Sequence, residues 1–170
     1  MKKYLLCFGL LCALVFPAES ADNFDKDQLV AWCIVPFDAK KRGPVERVQM
    51  LKRLGIKRVA YDWRAQHVKE FEEEILQYKK HGLEFFAFWS VHDEAFRLFE
   101  KYKLQPQIWR TLPSPKADTQ KARVEAAAKA MLPLVERTKK LGCKLGLYNH
   151  GGWGGEPANL VTVCKYLHKH

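Results

Sequence analysis

One phrase occurs three times in this sequence. Lys52-Arg53-Leu54-Gly55-Ile56-Lys57, Lys79-Lys80-His81-Gly82-Leu83-Glu84 and Lys139-Lys140-Leu141-Gly142-Cys143-Lys144 share one order: a cationic pair, one further residue, a glycine, then an apolar residue. Cations are favoured in the last turn of a helix, where they meet the negative end of the backbone dipole. Glycine closes a helix because it enters the left-handed conformation without a Cβ penalty. The phrase is therefore a helix ending that hands over to a strand, and three copies commit the chain to alternating helix and strand.

The segments between these junctions complete the alternation. Strands are expected at Leu29 to Val35, Ile56 to Trp63, Leu83 to Trp89, Pro106 to Trp109 and Lys144 to Tyr148. Helices are expected from Pro44 to Leu54, His67 to His81, Asp93 to Tyr102, Thr119 to Leu141, and onward from Pro157. Prolines 44 and 157 stand at first-turn positions, where the missing N–H costs nothing. Strict βα alternation implies parallel strands joined by right-handed crossovers. Two architectures offer this: a doubly wound sheet and a (β/α)8 barrel. The first βα turn, Pro36 to Pro44, lacks Gly-x-Gly-x-x-Gly and so speaks against a nucleotide-binding doubly wound sheet. A barrel needs eight units and about 250 residues. The expected class is thus α/β, a (β/α)8 TIM barrel truncated to about five βα units. Tyr166 to His170 is expected to stop mid-helix without a cap.

The first twenty residues stand outside this pattern. Lys2-Lys3 precede an apolar run from Tyr4 to Phe16, and Ala18-Glu19-Ser20 is a small-x-small site. Residues 1–20 thus read as a secretory signal peptide cut after Ser20, leaving 21–170 as a partial barrel domain that is secreted or periplasmic. The net charge of +10 becomes +9 after the cut, which removes two lysines and one glutamate. The cations are scattered over helix ends with no basic block interleaved with aromatics, so no nucleic-acid partner is expected, and no membrane once the signal is cleaved. Cys33, Cys143 and Cys164 remain, an odd number without zinc-ligand spacing, and Cys33 is expected as a buried free thiol.

In both architectures the site lies where parallel strands end. Of the five tryptophans, Trp63, Trp89, Trp109 and Trp153 fall at or just past strand ends, with Trp32 inside the first strand. Indole faces beside hydrogen-bonding groups suit a sugar ring, whose C–H face stacks while its hydroxyls find polar partners. The expected substrate-binding set is Asp62, Trp63, Arg64, Trp89, Trp109, Asn149 and Trp153. Asp62 and Arg64 serve equally well as a structural ion pair, and strand-end tryptophans serve equally well as a cap on the core. His150, at a strand end before Gly151-Gly152, is the candidate for proton transfer. Tyr148 is the candidate hydrogen-bonding partner of the reacting group. His67 and His81 are expected on exposed helix surfaces, His92 is undecided, and Glu156 is expected to cap the last helix. The glycines at 151, 152, 154 and 155 are expected to let a ligand approach the backbone.

Three stretches carry a resemblance: Ala31-Trp32-Cys33-Ile34-Val35-Pro36-Phe37-Asp38, Lys52 to Arg64, and Tyr148-Asn149-His150-Gly151-Gly152-Trp153. They resemble the exported sugar phosphate isomerase/epimerase-like proteins of the xylose isomerase-like TIM barrel superfamily, over strands one to five. The resemblance implies a divalent metal, Mn or Mg, at the barrel mouth. The first ligand there is usually a strand-five glutamate in a pattern like Glu-Asn-His-Gly-Gly. Here Tyr148 stands in its place, and the metal ligands of this chain are left open. The implied partner is a monosaccharide or a related polyol or keto-sugar, isomerised or epimerised by proton transfer. A non-catalytic carbohydrate-binding barrel is the alternative. A glycoside hydrolase, using Asp38 and Asp62, follows it.

Overall fold

The computed structural model describes residues 25–169. The expected signal peptide lies outside them. Five strands, β1 (Val30–Trp32), β2 (Arg58–Asp62), β3 (Glu84–Trp89), β4 (Gln107–Thr111) and β5 (Lys144–Tyr148), form one parallel sheet in the order β1-β2-β3-β4-β5. Helices α1 (Pro44–Leu54), α2 (Phe71–His81), α3 (Asp93–Tyr102) and α4 (Gln120–Leu141) follow the first four strands; a short α5 (Gly152–Gly155) and α6 (Pro157–Leu167) follow β5.

The repeated phrase does what its chemistry implies. Gly55, Gly82 and Gly142 each close a helix at φ 72°, 67° and 71°. Helix starts are built as locally: Thr119 Oγ1 accepts from the Ala122 amide at 3.2 Å, and His92 Nδ1 accepts from the Glu94 amide at 3.1 Å. This assigns His92 to the N-cap of α3. Glu156 occupies the N-cap position of α6 but caps with its backbone carbonyl, which accepts from Asn159 and Leu160, and not with its side chain.

Several boundaries differ from expectation, among them β2, which is shorter at both ends than Ile56 to Trp63, and β4, which runs past Trp109 to Thr111. β1 ends at Trp32 because Cys33 turns the chain at φ 59°, so Trp32 is a strand-end residue. Residues 65–70 form a 3-10 turn ahead of α2, with His67 Nδ1 accepting from the Arg64 amide. Short α5 is additional. The last helix closes at Leu167, ahead of His168 and Lys169, and His168 stays in the right-handed region without a glycine cap.

A sequentially ordered parallel sheet steps the same way at every connection, which puts its helices on one face. Val59 and Tyr61 on β2, Phe88 on β3 and Ile108 on β4 point to that face and pack with Leu51, Ile75, Phe96 and Phe99 of the helices. Each such fully buried side chain contributes about 1.5–3 kcal/mol. Arg47 of α1 and Glu74 of α2 form an ion pair in this layer, both essentially inaccessible. The alternate residues face the other way, onto a surface that no helix among the described residues covers.

Candidate functional site

Strand register determines what occupies that uncovered face. Trp32 pairs with Ala60, Asp62 with Trp89, Trp89 with Trp109, and Thr111 with Tyr148. Paired residues share a face, and residues two apart along a strand share it too. The last residue of every strand therefore points to the same side: Trp32, Asp62, Trp89, Thr111 and Tyr148. One irregularity makes this so. β3 carries an extra residue at Phe86, so that Val59 pairs with Phe85 but Ala60 with Ala87. Without that bulge Asp62 would stand opposite Phe88, and Trp89 would turn into the helix layer.

The rings converge. Trp32 lies 6.3 Å from Trp89, 6.3 Å from Trp109 and 5.7 Å from Tyr148, centroid to centroid. Tyr148 is 5.1 Å from Trp89 and stacks at 17° on Trp109. The His150 ring joins at 5.8 Å from Trp89. Trp32 remains 40% exposed, so the wall is open to solvent. Gly146 clears a space in β5 for the Trp109 indole, whose Nε1 donates to Gln107 at 3.1 Å.

Asp62 is the carboxylate at the strand-end rim of this face, and only 2% exposed. Its Oδ1 accepts from the Trp63 amide at 2.8 Å and from the Arg64 guanidinium at 2.9 Å. The Cys33 thiol approaches its Oδ2 at 3.8 Å. Burial, and then the Asp62 charge, push the Cys33 thiol above its ordinary range. Burial also raises the Tyr148 phenol, with smaller contributions from Cys33 and Asp62. The phenol is thus a protonated donor at neutral pH.

The structure brings Asp62, Trp89, Trp109, Tyr148 and His150 together and adds two residues the sequence reading placed elsewhere, Trp32 and Cys33. Only the true end of β1 reveals them. Trp63 is not part of the wall: its ring packs on Phe71, Phe88 and His92 in the helix layer. Trp153 is also apart, its Nε1 donating to Gln120 and its face covered by Arg123 at 4.9 Å. Arg64 holds Asp62 and its own neighbour's carbonyl. Asn149 accepts from the Gly151 amide at 3.2 Å, which ties it to its own loop. The glycines have a packing role: a Cβ on Gly154 would meet the Leu112 carbonyl at 2.3 Å, and one on Gly155 would meet Asn149 Oδ1 at 2.7 Å. Asp38 is spent on its own loop, accepting from the Lys40 and Arg42 amides and from the Arg42 guanidinium.

Among the described residues, no three His, Cys, Asp or Glu side chains converge on one point. The donor set at the rim is one carboxylate already held by a guanidinium, a protonated phenol and an imidazole. Mg and Mn prefer several oxygen ligands, so this set alone does not fit such an ion. Comparison with protein-family models, with curated proteins and with solved structures finds no match.

Proposed function

We propose that the uncovered face of the sheet binds a monosaccharide or a related polyol or keto-sugar, and that the protein is an exported sugar isomerase/epimerase-like enzyme. The observation that carries this reading is the wall of Trp32, Trp89, Trp109 and Tyr148 beside Asp62 and His150. A pyranose or open-chain sugar stacks its C–H face on indole, and hydroxyls take the polar edge. In this reading the sheet belongs to a (β/α)8 barrel. Its sequential strand order, with the side chains of both edge strands meeting across the concave face, supports that architecture.

The chemistry asked of the rim is a proton moved between carbons. The imidazole of His150 removes a proton from the carbon next to a carbonyl, and the C–H electron pair becomes an enediolate. The Tyr148 hydroxyl donates to the oxygen that gains charge. His150 then returns the proton to the adjacent carbon, while Tyr148 passes its own proton to that oxygen and recovers the one on the neighbouring hydroxyl, so that the carbonyl moves by one carbon. A positioned base of this kind contributes roughly 10²–10⁴-fold.

The test uses the full chain with a panel of monosaccharides in deuterated water. Tryptophan quenching reads binding, and deuterium uptake at a sugar C–H, seen by proton NMR, reads proton transfer. His150→Ala should abolish uptake and leave quenching within a few-fold. Unchanged uptake would refute the assignment of His150. The second reading, a non-catalytic sugar-binding face, is favoured by the Arg64 grip on Asp62 and by Tyr148. Quenching with no deuterium uptake by the parent protein would decide for it.

A further inference from the structure

Helices that return antiparallel to parallel strands deliver all their C-termini to one end of the sheet, opposite the Trp32–Tyr148 rim. In this chain those C-termini carry the repeated cationic phrase. Lys52 and Arg53 end α1, Lys79 and Lys80 end α2, and Lys139 and Lys140 end α4. All six are exposed, and none forms an ion pair among the described residues. Lys103 at the end of α3 and Lys144 at the start of β5 extend the same surface. The carboxylates at this end are partly neutralised already: Asp27 holds Lys57 at 2.9 Å and Glu84 holds Arg58 at 2.8 Å.

We infer that this basic end of the fold docks on a membrane surface rich in anionic lipid. Helix dipoles favour cations at each helix end; the parallel topology then gathers the three pairs at one end of the sheet. Lysine predominates over arginine here, and ammonium groups act as point charges suited to mobile headgroups, without the planar fork that reads nucleic acid. The Tyr102 ring beside Lys79 already has the Lys79 and Lys101 ammonium groups at 5.4 and 5.1 Å from its centroid, which occupies the surface base stacking would need. The chain also enters the sheet at this end. β1 begins at Val30, after a turn at Lys26–Gln28. Such docking would turn the aromatic rim away from the lipid and leave it open to soluble sugar.

Co-sedimentation of residues 21–170, the chain expected after signal cleavage, with vesicles tests this. One set is phosphatidylcholine alone and the other contains about one third phosphatidylglycerol, a content at which clustered lysines bind measurably. Binding should require the anionic lipid and should fall steeply as salt shortens the screening length. Lys79→Glu/Lys80→Glu/Lys139→Glu/Lys140→Glu should weaken partition about tenfold or more. Glutamine at the same four positions, which spares the helix dipole, should weaken it in the same direction. Reversing Lys40, Lys41, Lys69 and Lys116 at the rim end should have a much smaller effect, with circular dichroism confirming that all variants stay folded. Equal binding to neutral vesicles would overturn the proposal, since charge would then not carry the contact. So would equal loss in both glutamate variants, which would mean net charge alone. Capture by heparin or duplex DNA without vesicle binding would assign the basic end to another polyanion and refute it.

Discussion

Gly146 of β5 faces the Trp109 indole of β4 so closely that a Cβ at position 146 would stand 2.9 Å from Trp109 Cδ1. The ring stays there because Gln107 holds its Nε1 and Tyr148 stacks on its face. The glycine is thus part of the aromatic wall without touching any ligand itself. Gly146→Ala should force the indole out of this position and destabilise the fold by roughly 1–3 kcal/mol, the usual range for overpacking. Urea unfolding and near-ultraviolet circular dichroism read the two effects, and sugar quenching should weaken with them. An unchanged aromatic spectrum would show that the ring is not confined.

Cys33 should be a sluggish thiol. Burial and the neighbouring Asp62 charge both raise its pKa, so little thiolate is present near neutrality. Alkylation by iodoacetamide at pH 7.5 should lag behind that of a free cysteine in a peptide and accelerate as pH rises beyond the usual thiol range. Asp62→Asn removes the charge and should speed the reaction at fixed pH. A ligand on the concave face should protect the site, which mass spectrometry of the Cys33 peptide reads directly.

The buried Arg47–Glu74 pair should be intolerant of single changes. Arg47→Met leaves the Glu74 carboxylate inaccessible and without its cation, a loss of about 3–5 kcal/mol in urea unfolding. Arg47→Met/Glu74→Leu should recover most of it. Burial already pushes the Glu74 carboxyl up in spite of Arg47. A carboxyl whose folded pKa is raised favours the folded state when protonated, so the Arg47→Met penalty should grow as pH rises through the ordinary carboxylate value and shrink on acidification.

Asp38 should show the opposite pH dependence. Burial acts to raise its carboxyl, but the Arg42 and Lys40 amides and the Arg42 guanidinium outweigh this and hold it below the usual carboxylate range. Its contribution is complete above the unfolded carboxyl pKa, near 3.9, and is lost as pH falls through the lower folded value. Asp38→Asn should therefore flatten the acid limb of the stability curve below about pH 4. An identical acid limb in the variant would show that the loop does not hold the carboxylate in solution.

Local signals carried the sequence reading a long way. The helix ends at Gly55, Gly82 and Gly142, the α3 span Asp93–Tyr102, the α4 N-cap Thr119, the β5 span Lys144–Tyr148 and the α6 start at Pro157 all follow from neighbours within a few residues. Caps, prolines and dipole-matched cations act over one turn of chain, so one dimension suffices to see them. The placement of Tyr148 and His150 at a strand end followed for the same reason.

Which strand-end residues share a surface was decided only by tertiary pairing. The extra residue at Phe86 turns Trp89 toward Asp62, and the left-handed Cys33 ends β1 early enough to make Trp32 a rim residue. A flat sheet would hold β1 and β5 roughly 19 Å apart, at ~4.8 Å per strand spacing. Instead the sheet curls until the rings of Trp32 and Tyr148 lie 5.7 Å apart. Trp63 and Trp153 lie near strand ends in sequence, yet both pack elsewhere: Trp63 because one step along the strand reverses a side chain, and Trp153 because it belongs to α5. By itself the sequence determined the alternating elements and their polarity, through contacts a chain makes with itself over a few residues. Register and curl arise between segments twenty or more residues apart, where packing free energy and not local propensity selects the arrangement, so the wall of rings belongs to the tertiary structure.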